Sequence, residues 1–150
     1  MALHIHRAQR RHRAVVAIVV HQIGRHSHRT GFQRIVEQCS DTDEVPKPPW
    51  LERKQRYIDH LGEVGQDTLL VSVADKLDNA RSMLRDYHEH GPALWDRFNR
   101  KNPQDHLWYY DSLLAAYREH GLDSWMVEEL GRVVGELKRL VEGGDRAVVV

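Results

Sequence analysis

The stretch that decides the fold is DTLLVSVADKLDNARSMLRDYHEHG, which runs from Asp67 to Gly91. Its apolar residues recur every three or four positions, as they do on one face of a helix. That face collects Leu69, Val73, Leu77, Ala80, Leu84 and Tyr87. Asp67 and Thr68 are candidate caps, because their side-chain oxygens can accept from free backbone N–H groups. Gly91 before Pro92 indicates the end of this long amphipathic helix.

The opposite face of this helix is polar. Asp75, Asp78, Asn79 and Ser82 fall within about one quadrant of it, at spacings that align side chains along a helix. A carboxylate can bind a hard or borderline cation, and an amide and a hydroxyl can hydrogen-bond a sugar or a phosphate. Arg81 could neutralise phosphate charge or simply extend into water. The spacing leaves two interpretations open, an ordinary solvated face or one wall of a polar site.

The rest of the chain is predicted to be helical as well. Apolar periodicity predicts helices over residues 32–39, 50–61, 92–99, 106–120 and 123–142. The prolines at positions 46, 48 and 49 predict a stiff loop, and Gly143-Gly144 is expected to end the last helix. Only Ala14–Val20 has the β-branched content of a strand, and nothing else is suited to pair with it. The fold class is therefore all-α, a helical bundle with short loops.

Charge divides the chain into unlike parts. Residues 1–36 hold seven arginines and no acidic residue, so the remaining residues carry 15 basic and 22 acidic groups, a net charge of −7 (15 − 22). We expect an Arg/His-rich arm over 1–31, a helical domain over 32–142 and a tail over 143–150. The arm is expected to be disordered, or non-native sequence from a wrong start site or reading frame. It lacks lysines and interleaved aromatics, so no nucleic-acid partner is expected.

Compartment and membrane association follow from two short features. Cys39 is the single cysteine, which excludes an internal disulfide and suits a reducing compartment. The apolar run Ala14–Val20 has seven residues, against the roughly 20 that span a bilayer, and no A-x-A-like cleavage site follows it. We therefore expect a cytoplasmic protein without a membrane partner.

The acidic residues Asp41, Asp43 and Glu44 form either a solvated loop or a contact for a metal or another cation.

One motif carries a family resemblance. ADKLDNARS, from Ala74 to Ser82, resembles the last metal-ligand helix of the HD-domain phosphohydrolases, whose pattern there is approximately A-D-[KR]-L-H-N-x-R-[ST]. The closest likeness is to Rel/Spo-type hydrolases of guanosine tetraphosphate and their small single-domain relatives. Residues 35–61, 93–99 and 107–114 also resemble small bacterial HD proteins. The resemblance covers residues 32–121 and implies an HD-domain-like helical bundle.

The resemblance also implies a chemistry. The family binds one divalent metal, usually manganese, through an H…HD…D set whose last Asp matches Asp75. Its nucleotide-contacting Asn and hydroxyl residues match Asn79 and Ser82, and Arg81 beside them is a candidate phosphate ligand. The metal would polarise a phosphate oxygen and lower the pKa of an attacking water. The implied substrate is a guanosine nucleotide that loses its 3′-pyrophosphate.

The chain departs from the family upstream of this motif. It contains no His-Asp dipeptide, its first acidic residue is Glu37, and Asp78 replaces the family's His. One carboxylate does not hold a divalent metal in water, so we expect this chain to be impaired or inactive as a hydrolase. The missing motifs indicate an N-terminally truncated HD protein, whose catalytic residues are unknown. Its exposed polar face, with Val71 and Ala74 beside it, would favour self-association. The alternative is a non-catalytic helical interaction or nucleotide-binding module.

Overall fold

A computed structural model describes residues 46–147, with side chains through residue 144. It contains helices α1 (Trp50–His60), α2 (Gln66–His90), α3 (Pro103–Glu119) and α4 (Trp125–Ala147), with 3-10 segments at Leu61–Glu63 and Gly91–Arg97. No strand occurs among residues 46–147, which confirms the all-α fold class. The expectations for the arm 1–31, for the helix over 32–39 with Cys39 and for the acidic residues 41–44 lie outside the described residues.

Helix α2 lies at the centre of the packing. It packs along α4 and receives the 3-10 segment Gly91–Arg97, while α3 packs on α4 and α1 lies against α3. The predicted inward face of α2 is confirmed. Its buried side chains are Leu69, Val73, Leu77, Ala80 and Tyr87, and Leu84 is half-buried. α1 contributes no fully buried residue and joins the core through partly buried Trp50, Tyr57 and Ile58.

The aromatic run of α3 divides as expected from helical geometry. Tyr109 and Tyr110 are buried at 6% and 5% exposure, while Trp108 is only partly covered. Three consecutive helical residues cannot all face one way, because successive side chains turn by about 100°. Leu113 and Tyr117 follow on the same inward face at 0% exposure, so α3 forms the second wall of the core.

The helix ends differ in part from prediction. α2 begins at Gln66 and its N-cap is Gly65, so Asp67 and Thr68 lie in the first turn rather than at the cap. Asp67 there places a negative charge near the positive end of the helix dipole. Gly91 has φ 60° and ψ −146°, a backbone conformation that residues with a side chain rarely adopt, and α2 ends there as predicted.

The other helices show the same pattern of small shifts. α3 begins at Pro103, three residues before the expected start, because the Asn102 side chain accepts a hydrogen bond from the Gln104 backbone N–H at 3.0 Å. Ser124 caps α4, its Oγ accepting from the Met126 N–H at 3.3 Å. α4 continues through Gly143 and Gly144 to Ala147, since neither glycine takes the positive φ that would end it.

The expected exposure of Val71 and Ala74 is wrong. Both are buried, at 1% and 3% exposure. At about 100° per residue, Val71 lies roughly 160° from Val73, on the far side of α2, whereas Ala74 lies only about 60° from Leu77, beside the predicted inward face. The first half of α2 is therefore buried on both sides, as is typical of a helix with apolar residues all round.

The burial pattern predicts unequal effects of the same truncation. Leu130→Ala, at a side chain with 0% exposure, should lower the free energy of unfolding by about 2–5 kcal/mol. Leu51→Ala, at 51% exposure, should change it by no more than about 0.5 kcal/mol. Urea titration of both variants measures the difference, and equal losses would contradict this assignment of the core.

Candidate functional site

A cavity of about 410 Å³ opens between α1, α2 and α3. Its volume lies within the range of small-molecule sites, roughly 300–1,000 Å³. One wall is polar and comes from α2, and the other is mainly aromatic and comes from α1, α3 and the segment between α2 and α3. The lining consists of Trp50, Lys54, Lys76, Asn79, Ser82, Met83, Asp86, Phe98, His106, Tyr109 and Tyr110.

The polar wall contains two of the predicted site residues. Asn79 and Ser82 both line the cavity. Arg85 donates a hydrogen bond to Ser82 Oγ at 3.1 Å, which leaves the hydroxyl hydrogen of Ser82 available to a ligand. Asp86 continues the same stripe, seven residues after Asn79 and four after Ser82. That spacing was the sequence signal by which Asp86 could have been found.

The other two predicted residues lie away from the lining. Asp75 is bound to its neighbour, since Lys76 Nζ donates to Asp75 Oδ2 at 3.0 Å with both side chains 13% exposed. Arg81 donates to Glu129 of α4 at 2.9 Å. Hydrogen bonds from Arg132 and Arg81 lower the pKa of the Glu129 carboxyl to about 2. Asn79 and Ser82 therefore line the same cavity, whereas Asp75 and Arg81 are paired with Lys76 and Glu129 outside the lining or at its edge.

Two lysines place positive charge at one end of the cavity. Lys76 Nζ lies 4.6 Å from the centre of the Tyr57 ring, and Lys54 Nζ lies 4.9 Å from that of Tyr109. Burial alone would lower the pKa of Lys76, but Tyr57, Tyr109 and Asp75 outweigh it and hold the pKa well above its usual value. Of these three, only Asp75 is ionised at neutral pH. Sequence reasoning missed both lysines, because lysine is among the residues least often buried.

Tyr110 and Tyr117, two tyrosines near Lys76, keep their hydroxyl protons at neutral pH. Tyr57 and Tyr117 each share a hydrogen bond of 2.7 Å with Ser72 Oγ, which joins α1, α2 and α3. Burial raises the pKa of Tyr117 well above its usual value and that of Tyr110 to about 12. Tyr110 lines the cavity, and its hydroxyl forms no hydrogen bond with any described residue. It can therefore donate to a ligand.

The aromatic wall is built around a neutral histidine. The His106 ring lies 5.5 Å from Trp50, 5.4 Å from Trp95 and 4.8 Å from Phe98 between centroids. Its Nε2–H donates to the Arg100 carbonyl at 2.6 Å, so Nδ1 carries the lone pair of the neutral ring. Burial lowers the pKa of His106, and the positive charges of Lys54 and Arg100 act in the same direction.

The described residues do not by themselves fit the divalent metal that the resemblance implies. Within residues 46–144, no three or more His, Cys, Asp or Glu side chains converge on a common point. The Asp75 carboxylate is paired with the Lys76 ammonium, which competes with any cation. The arm histidines, such as His26 and His28, lie outside the described residues.

Comparisons with known proteins identify no family. No family model matches the chain, and no curated protein matches it. The likeness to HD phosphohydrolases therefore remains a prediction from the residues that carry it. Among residues 46–147, no helix is both long enough and apolar enough to cross a membrane.

The lowered pKa of His106 predicts a pH dependence of stability. The unfolded histidine takes up a proton near pH 6.5, while the folded one resists it. The stabilising contribution is therefore complete above about pH 6.5 and is lost as the pH falls toward the lower, folded pKa.

Melting temperatures measured between pH 7.5 and 5 should fall more steeply for the wild type than for His106→Gln. The remaining histidines are present in both proteins, so their contributions cancel in the difference. Parallel curves for the two proteins would contradict the neutral state of His106.

Proposed function

We propose that this chain is an HD-phosphohydrolase-like protein whose described helical domain binds a guanosine nucleotide in the cavity between α1, α2 and α3. The observation that carries the proposal is that Asn79 and Ser82 share one cavity with Lys54 and Lys76. Ammonium groups bind phosphate oxygens through charge-assisted hydrogen bonds. The amide and the hydroxyl can hydrogen-bond the sugar or the base, and these two positions are the ones that the resemblance assigns to nucleotide contact.

The aromatic wall supports a nucleotide over a simple phosphate. Trp50 and Phe98 line the cavity beside the neutral ring of His106. Stacking of a base on an aromatic ring contributes roughly 1–3 kcal/mol in nucleic-acid-binding proteins. A ligand with one planar ring and one anionic group therefore matches both the charge and the shape of the lining.

Binding and hydrolysis are separate parts of the proposal. The implied reaction is removal of the 3′-pyrophosphate of guanosine tetraphosphate, with manganese as the family's metal. Asp75, the one matched metal ligand, is engaged by Lys76 at 3.0 Å. We expect the chain to bind nucleotide and to be impaired or inactive in hydrolysis. The second candidate is a non-catalytic nucleotide-binding module. The same ion pair favours it, because the pair occupies the carboxylate that a metal would need.

The positive charge of the cavity lysines predicts that removing one of them weakens nucleotide binding. Lys54→Gln should weaken guanosine tetraphosphate binding about 10- to 100-fold, because a hydrogen bond to a charged group contributes about 1.5–3 kcal/mol. Calorimetric titration gives the dissociation constant, and Trp50 supplies a fluorescence signal. Lys138→Gln removes the same charge from an ion pair with Asp111 outside the cavity lining and should leave affinity unchanged. Equal affinities for the two variants would reject this cavity as the nucleotide site.

Hydrolysis is tested with manganese. We expect manganese to leave the melting temperature unchanged and pyrophosphate release from guanosine tetraphosphate to stay at background. Should release occur, Asp75→Ala must abolish it while Asp78→Ala, at the neighbouring carboxylate, spares it. Release that survives Asp75→Ala would reject Asp75 as a metal ligand.

A further inference from the structure

Asp86 is a cavity carboxylate with no role in the nucleotide binding proposed above. It lines the cavity, is partly buried and forms neither an ion pair nor a hydrogen bond with any described residue. Its carboxylate oxygens are not among the buried, unpartnered polar atoms, so they face the open space of the cavity. A carboxylate accepts hydrogen bonds and cannot donate them. Asp86 is therefore suited to a ligand group that carries hydrogen-bond donors.

The cavity has ends of opposite charge. Asp86 lies ten residues after Lys76 on α2, about 15 Å along the helix axis. On the aromatic wall, Phe98 marks the Asp86 end, because Trp95 contacts both Phe98 and Tyr87, the next residue after Asp86.

The aromatic contacts continue from Phe98 to the lysines. They pass from Phe98 to His106 at 4.8 Å, to Trp50 at 5.5 Å and to Tyr109 at 6.1 Å, where Lys54 lies over the ring. A nucleotide that places its phosphate at the lysines therefore presents its base along the aromatic wall and its base edge to Asp86.

The two oxygens of a carboxylate pair best with two parallel donors, as they do with a guanidinium group. Guanine presents such a pair, the ring N1–H beside the exocyclic amino group. Hypoxanthine keeps only the ring donor. Xanthine places a carbonyl oxygen where guanine has its amino group, which would face the carboxylate with a second acceptor. Adenine places a ring lone pair beside its amino group.

We infer that Asp86 is a specificity-determining residue that selects guanine by accepting hydrogen bonds from its N1–H and its amino group. The inference rests on the proposed function, because it requires a nucleotide in the cavity. It goes further by naming the residue that distinguishes among bases and by fixing the direction in which the ligand lies.

The experiment compares the 5′-monophosphates of guanosine, inosine and xanthosine, which share ribose and phosphate and carry an amino group, a hydrogen and an oxygen, respectively, at position 2 of the base. Wild-type protein should bind the guanosine compound about tenfold or more tightly than the other two in calorimetric titration. Asp86→Asn offers an amide N–H to the 2-oxygen of xanthine and should reverse the order between the guanosine and xanthosine compounds. Asp96→Asn, at an exposed carboxylate outside the cavity lining, should preserve the wild-type order.

The outcomes separate the two proposals. Equal wild-type affinities for the three monophosphates, or an unchanged order in a folded Asp86→Asn variant, would overturn the role of Asp86 and leave nucleotide binding standing. Binding of none of them, nor of guanosine tetraphosphate, would overturn both proposals. The wild-type ranking needs no variant, so the inference remains testable even if Asp86→Asn fails to fold.

Discussion

The ion pair between Lys76 and Asp75 is the constraint on which the rest of the site depends. Both side chains are only 13% exposed, and the ammonium lies 4.6 Å from the centre of the Tyr57 ring. A shielded charge without its partner is strongly destabilising, so each residue fixes the state of the other. The same contact consumes the carboxylate that a metal would need and keeps Lys76 protonated beside the cavity. Under the proposed function, a phosphate at Lys76 and a metal at Asp75 would therefore each require a residue of the same ion pair.

Among residues 46–147, periodicity was sufficient to predict the four α-helices and most of their inward faces. Leu69, Val73 and Leu77 follow the 3.6-residue repeat, and all three are buried. Helix starts were less accurate because caps are local hydrogen bonds. The Asn102 cap starts α3 at Pro103, three residues before the predicted start at His106.

The site was only half predictable. Asn79 and Ser82 could be placed on one face because that relation is local to α2. Lys54 and His106 reach the cavity from other helices, where Lys54 lies over the ring of Tyr109 and His106 packs against Trp50, both contacts between residues far apart in the chain. Nor could the sequence show that Arg81 donates to Glu129, 48 residues downstream. Charge pairing across helices is a tertiary property that no local pattern encodes.

Helix α1 lacks any fully buried residue, yet it supplies Trp50 and Lys54 to the cavity. Segments that bury little apolar surface open locally at a smaller free-energy cost than the whole domain unfolds. A ligand held between α1 and α2 adds its binding free energy to the closed form, about 2.7 kcal/mol at a concentration 100-fold above the dissociation constant. Ligand occupancy would then slow amide hydrogen exchange in α1 more than in α4, so the exchange rate of the first helix would report on occupancy of the cavity.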